Sequence, residues 1–261
     1  MKSFNYRSAA NTKEATKLAS GRATFLAGGM TLLPAMKLRL AAYSDLINIK
    51  KIKALSGIKV SSKSLRIGAT TTHAEVAASK EVKKSISSLA DLADGIVDPQ
   101  VRNRGTIGGS IANNDPAADY PSACLALNAT IHTSKRKIRA DKFFKGMFET
   151  DLKKGELIET VEFEVPEKSS YAKFPNPASR YAIVGIYVAK LKKEVRVAVT
   201  GVESCVFRCK KLEDALSSNF SPSVIDNVNF SSKGFNTDIH ASAEYRAHII
   251  KVMAKKAVSN C

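Results

Sequence analysis

Residues 157–165 alternate cleanly. Leu157, Glu159, Val161, Phe163 and Val165 fall on one side and Ile158, Thr160, Glu162 and Glu164 on the other, which predicts a half-exposed strand. A different period opens the chain. Asn11 or Thr12 caps an expected helix over 12–20, with Ala15, Leu18 and Ala19 inward, and Gly21 ends it. Short strands are expected at 24–26, 45–49 and 65–69, with an apolar segment at 32–40. Thr72 followed by Glu75 has the spacing of a capping box and predicts a helix over 73–79. Ile86, Leu89, Ala90 and Ala93 give another helix face, closed by Gly95. Residues 102–110 read as a glycine-bearing loop, and Asp115-Pro116 as the opening of a helix reaching about residue 127. Residues 166–170 read as a linker. Strands at 182–191 and 194–202 turn at Lys192-Lys193, and short helices are expected at 211–217 and 222–228. A last helix covers 241–258, with Tyr245, Ile249, Val252, Met253 and Ala257 as its inner stripe.

This order predicts two α+β domains, with no regular βαβ series and no internal repeat. The 261 residues, 44% of them hydrophobic and 25% charged, suffice for a packed core and exclude a disordered, collagenous or coiled-coil chain. The longest apolar stretch, 181–189, is far short of a membrane span, and residues 1–6 lack the apolar core of a signal peptide; a soluble intracellular protein is expected. Lys plus Arg exceeds Asp plus Glu by 41 to 24, a formal charge of +17. The basic residues are scattered and accompany no recognition helix or aromatic ladder, so they read as solvated faces or a dock for an acidic partner rather than a nucleic-acid site. Cys205 and Cys209 are expected on one face of a strand over 202–210, Cys124 in the core, and none of the four cysteines in a metal site.

Chemistry is suggested by two glycine segments. Ala27-Gly28-Gly29-Met30-Thr31 and Thr106-Ile107-Gly108-Gly109-Ser110 each set a Gly-Gly pair beside apolar sequence and before an expected helical turn. A residue without a side chain lets a phosphate reach backbone N–H groups, and a helix start adds unpaired donors. Thr31, Thr106 and Ser110 add hydroxyls. Either pair alone can be an ordinary tight turn; together they suit the two halves of a pyrophosphate. Neither is a Walker loop or a Rossmann fingerprint, so a dinucleotide held without a Rossmann fold is the expectation. Asp115 reads as a helix cap, and Asp119 one turn later can accept hydrogen bonds from a ribose or adenine. His73 reads as a cap or packing residue, and no catalytic triad or paired-carboxylate arrangement emerges.

The segments LAGGMTLLPAMKLRL (26–40), IGATTTHAEVAAS (67–79), DPQVRNRGTIGGSIANNDPAADYPSA (98–123), PASRYAIVGIYVA (177–189) and SAEYRAHIIKVMAKKA (242–257) together resemble the medium, FAD-binding subunit of the molybdenum hydroxylases, of the aerobic carbon monoxide dehydrogenase type. The resemblance implies an FAD-binding domain over 1–166, with subdomains of about 1–55 and 56–166, and a C-terminal α+β domain over 171–261 built on a three-stranded antiparallel sheet and helices. It places Ala27 to Thr31 and Thr106 to Ser110 at the FAD diphosphate, Asp119 at the ribose or adenine, the Leu157-Ile158 backbone near the flavin, and Lys173 and Tyr181 beside the isoalloxazine. Two departures stand out: Met30 where the family has a polar residue, and Asn113-Asn114 in place of a common His-Ala pair.

What the resemblance implies chemically is an electron relay. The molybdenum cofactor would sit in a large partner subunit and two [2Fe–2S] clusters in a small one, in a dimer of heterotrimers in the cytoplasm or at the inner face of the membrane. FAD here would pass electrons to an external acceptor such as a quinone. Three rivals remain at this stage: a self-sufficient flavin oxidoreductase, an assembly subunit without flavin, and a basic nucleic-acid binder.

Overall fold

The computed structural model describes residues 1–96 and 98–261. The chain begins with β1 (Asn5–Ser8), α1 (Thr12–Leu18), β2 (Ala23–Leu26), α2 (Leu32–Lys37) and β3 (Asp45–Asn48). These strands pair in parallel in the order β1-β3-β2. The opening is therefore a small parallel βαβ arrangement, consistent with the expected strand, helix, strand, and the sheets that follow are antiparallel. Strands of four residues carry too little period to reveal their pairing. Asn11 caps α1 as expected, its side chain accepting from the Glu14 N–H at 2.9 Å.

A five-stranded antiparallel sheet follows, built from β4 (Ile58–Val60), β5 (Ser64–Gly68), β6 (Thr130–Thr133), β7 (Lys137–Arg139) and, after α9 (Ala140–Phe143) and the hairpin β8 (Phe144–Gly146) and β9 (Glu149–Thr150), β10 (Ile158–Glu164). Its order is β4-β5-β10-β6-β7. β10 is the strand read from alternation, and it is central. Val161 and Phe163 point into the core; a bulge between Ile158 and Thr160 turns Ile158 inward as well. Among the described residues, six helices lie between β5 and β6: α3 (His73–Ala78), α4 (Lys80–Ser85), α5 (Ser87–Asp94), α6 (Pro99–Arg104), α7 (Ile107–Asn113) and α8 (Tyr120–Ala126). Thr72 and Glu75 form the expected capping box. The stretch read as a loop at 102–110 is instead the end of α6 and the start of α7. Proline at the first turn of α6, behind the Asp98 cap, starts a helix that its polar sequence hid. The helix expected from Pro116 starts only at Tyr120, because Asp115 accepts from the Ala117 N–H in a local turn.

The C-terminal sheet has three long strands, β11 (Lys168–Pro175), β12 (Ala182–Lys190) and β13 (Val195–Thr200), plus a two-residue edge strand β14 (Phe207–Arg208). β11 occupies most of the stretch read as linker. β12 and β13 are buried on both faces. One face packs on the helical layer through Tyr187, Ala189 and Ala198; the other packs Val184, Ile186, Val197 and Val199 under α10 (Lys210–Ser218) and α11 (Ala243–Ser259). Cys205 lies in a turn and Cys209 at the head of α10, so the two do not share a strand face.

The inner stripe of α11 differs from expectation. Ile249, Met253 and Ala257 face inward, but Tyr245 and Val252 are 43% and 40% exposed, and Arg246 is buried in their place. Arg246 donates to Ile183 O and Gly201 O at 2.7 and 2.8 Å and to Asp238 at 2.6 Å. Satisfying two buried carbonyls outweighs burying a tyrosine, and the helix is rotated accordingly. Arg246→Leu is expected to lose about 3 kcal/mol of stability, since both carbonyls are left unpaired, whereas Val252→Ala changes it by about 0.5 kcal/mol or less. Urea unfolding of both variants checks this; a larger loss for Val252→Ala would restore the original stripe.

Candidate functional site

The first glycine segment meets the chain immediately before the second. The chain leaves β2 through Ala27, Gly28, Gly29, Met30 and Thr31 into α2, and leaves α6 through Gly105 into Thr106, the N-cap of α7. A Cβ at Gly28 would lie 2.1 Å from Arg104 O and 2.8 Å from Gly105 Cα, so the backbones touch and only glycine fits. Gly29 follows with φ 75°, a left-handed turn.

Hydrogen-bond accounting separates the segments. Among the described residues, the backbone N–H groups of Gly28, Gly29, Met30, Thr31 and Leu32 reach no protein acceptor. The Thr31 side chain is exposed and caps nothing. Amides left free at the carboxyl end of a parallel strand are donors that an anion could accept from. The second segment has few free amides. Ile107 N–H donates to Thr71 O at 3.2 Å, Gly108 N–H to Ala69 O at 2.9 Å, Gly109 N–H to Thr106 Oγ1 at 3.1 Å and Ser110 N–H to Thr106 O at 2.9 Å. The reading of two equivalent nests is revised. The first segment offers N–H donors; the second is a rigid wall offering the exposed Gly109 backbone and the partly exposed Ser110.

A polar cluster lies along the same layer. Asp119 is 7% exposed and accepts from the Tyr171 hydroxyl; Lys173 Nζ is 3.2 Å from both of its oxygens and donates to Gly95 O at 2.9 Å. Burial lifts the Asp119 carboxyl above its ordinary range, against the pull of Lys173 and Tyr171. Tyr181 is 49% exposed, and burial, then the Asp115 and Asp119 charges, raise its phenol. Asp119, Lys173 and Tyr181 are thus brought into one electrostatic neighbourhood. Tyr120, next to Asp119 in sequence, lies with its ring centroid 5.2 Å from that of His73 in a tilted pair, and His73 touches Gly105, which connects this cluster to the glycine contact. Leu157 and Ile158 offer little backbone: Leu157 N–H and C=O both pair with Ser134, at 3.1 and 2.8 Å, and Ile158 pairs with Thr133 in the sheet.

Sequence reasoning missed Tyr171, because the expected linker ended at residue 170 and no strand was assigned to the residues after it, and it missed the reach of Asn114. That residue is buried with φ 44°, and its Nδ2 donates to Gly146 O and Glu149 O at 2.7 and 2.8 Å, tying the β8–β9 hairpin to the end of α7. Asparagine at a left-handed helix end was the available signal.

A family profile described as the FAD binding domain in molybdopterin dehydrogenase matches residues 2–167. The chain belongs to this family. It is 35% identical to the glyceraldehyde dehydrogenase medium chain of Sulfolobus acidocaldarius, across 97% of this chain and 96% of that one. It is 35% identical to the carbon monoxide dehydrogenase medium chain of Hydrogenophaga pseudoflava, across 78% and 77%. Its fold matches carbon monoxide dehydrogenase from H. pseudoflava with a TM-score of 0.90 at 30% identity, covering 99% of this chain and 97% of that one. It matches quinoline 2-oxidoreductase from Pseudomonas putida 86 with a TM-score of 0.89 at 27% identity and the same coverage. The chain is thus a family member of the oxidoreductases with FAD as its cofactor. The nest fits that cofactor: five unpaired amides and a glycine that no side chain could replace suit a diphosphate.

His73 is 5% exposed, and burial pulls its imidazole from 6.5 down to about 4. Between those values the unfolded chain binds a proton that the folded chain does not. Stability therefore rises with pH across this window and is lost as pH falls through it. Between pH 7 and pH 4.5 the wild type should lose about 2–3 kcal/mol more than His73→Phe, measured by urea unfolding without FAD; equal losses would contradict a buried neutral ring.

Proposed function

We propose that this chain is the flavin-bearing electron-transfer subunit of a molybdenum hydroxylase complex, standing between the [2Fe–2S] clusters of a small subunit and an external acceptor. The observation that carries this reading is the contact of Gly28 with Arg104 and Gly105, which sets a nest of free amides against a rigid second segment. On this reading residues 1–166 form the cofactor domain, with subdomains at about 1–55 and 56–166, and 171–261 the second domain. Ala27 to Thr31 bind the diphosphate through N–H groups, and Thr106 to Ser110 close its other side. Asp119 turns from its protein partners to a ribose or adenine. Lys173 and Tyr181 lie beside the ring, where a cation and a phenol favour added negative charge and limit solvent; Leu157 and Ile158 support that wall. When bound, FAD supplies the ability to take up electrons singly and release them in pairs.

The large molybdenum subunit completes the complex, in a dimer of heterotrimers in the cytoplasm. Among the described residues no helix is long and apolar enough to cross a membrane. Relatives of similar fold carry names with unlike substrates, glyceraldehyde, carbon monoxide and quinoline, which agrees with a substrate pocket on another polypeptide. The +17 charge suits acidic faces on the partners, and assembly is expected to weaken between low and high salt; affinity flat across ionic strength would count against it.

The deciding experiment is purification of the native complex with cofactor analysis and identification of the accompanying chains. About one FAD per copy of this chain is expected, with an iron–sulfur and a molybdenum chain present. Gly28→Ala, whose methyl would strike Arg104 O, is expected to cut FAD content at least tenfold while the other cofactors stay. A native complex without flavin absorption, or full FAD in Gly28→Ala, would refute the proposal.

A further inference from the structure

Gly105 has three close neighbours, one of them Val101 O, which would lie 3.0 Å from a Cβ placed there. Gly28 packs against its Cα, and on another side a Cβ placed on Gly105 would lie 2.7 Å from His73 Nε2 and 2.9 Å from its Cδ2. The imidazole therefore rests directly on the backbone of the segment that touches the nest. Three further contacts lock the register: His73 N–H donates to Gly105 O at 3.0 Å, Thr72 and Thr106 form an isolated bridge, and Ile107 N–H donates to Thr71 O. Behind the imidazole lies the Tyr120 ring, itself fully buried. Neither His73 Nδ1 nor the Tyr120 hydroxyl has a partner, among the described residues.

An apolar side chain would fill this position without leaving a nitrogen unpaired, and two buried orphan atoms in one ring pair are unusual in a folded core. Both lie in the layer running from the nest to the Asp119 cluster. The capping box holds the backbone of residue 73 in place but does not require histidine there, since the cap uses only Thr72 and Glu75. The ring is thus free to serve a purpose other than starting the helix.

We infer that His73 is a positioning residue for the nucleotide site: its ring, beside Tyr120, is the spacer that presses Arg104-Gly105 onto Gly28 and sets the gap between the two glycine segments. The inference rests on the FAD reading above and deepens it, since neither the glycine spacing nor the family membership assigns the ring a role. Ring and glycine form a matched pair. Removing the ring lets the second segment sink away from the nest. Adding a methyl at Gly105 drives it outward. Doing both exchanges one filling for the other.

The test uses the full-length chain, titrated with FAD and followed by quenching of flavin fluorescence, with the melting temperature of each FAD-free variant as a fold control. His73→Ala and Gly105→Ala should each weaken FAD binding tenfold or more. The double variant His73→Ala/Gly105→Ala should recover to within about threefold of wild type, because the new methyl then has the ring's vacated space on one side and keeps only the 3.0 Å approach to Val101 O. A residue that served stability alone would lower the melting temperature of all variants and leave FAD affinity per folded molecule unchanged. Affinities of both single variants within twofold of wild type, or losses that simply add in the double variant, overturn the inference while the FAD reading stands. A wild-type chain that binds no FAD, alone or in its native complex, overturns both.

Discussion

One backbone contact organises the cofactor half of this protein. Gly28, at the carboxyl end of a strand in the small parallel sheet, lies on the Arg104–Gly105 peptide at the junction of two helices. No Cβ can be placed at that point, so the approach of the two layers is limited by peptide against peptide. The consequence for function is a division of roles. The segment after β2 keeps its amides free, because the chain bends into α2 before any acceptor comes within reach. The segment after α6 gives its amides to Thr71, Ala69 and Thr106 and becomes stiff. Free donors opposite a fully hydrogen-bonded segment need little reordering to receive an anion.

Much of this was readable from residues, and the limits of that reading have physical causes. β10 was legible because one of its faces is solvated, so its period survives in the sequence. The capping box at Thr72 was legible because it depends on two residues three apart. The glycine segments were legible as candidates, yet their inequality was not, since it depends on which carbonyls the fold brings near. β12 and β13 lose their alternation because both faces are covered. Arg196, deep in β13, illustrates the cost of expecting polar residues outside: it reaches Leu125 O at 2.7 Å and Asp141 at 2.6 Å, and so fastens the second sheet to the helical layer. The stripe of α11 misled for the same reason, with Arg246 inside and Tyr245 out.

The electrostatics also divide. Among the described residues, buried carboxylates are paired: Glu156 with the exposed Arg136, Glu213 with Arg208, Asp119 with Lys173. Burial alone would raise Glu156, but Arg136, Thr133 and the Lys153 N–H hold it at about 2. The net excess of +17 is therefore a property of the surface, where it can act on partners and on salt dependence without touching the core. Asp119 is the exception that bears on function. It is buried, raised by that burial, and held by the Tyr171 phenol and the Lys173 ammonium.

The most direct measurement is residue-resolved hydrogen exchange of the full chain with and without saturating FAD. The account predicts that the amides of Gly28 to Leu32 exchange fast without the nucleotide and become strongly protected with it, while those of Ile107 to Ser110 are already slow and change little. FAD bound with no new protection at Gly28 to Leu32, or with its main protection elsewhere, would contradict it.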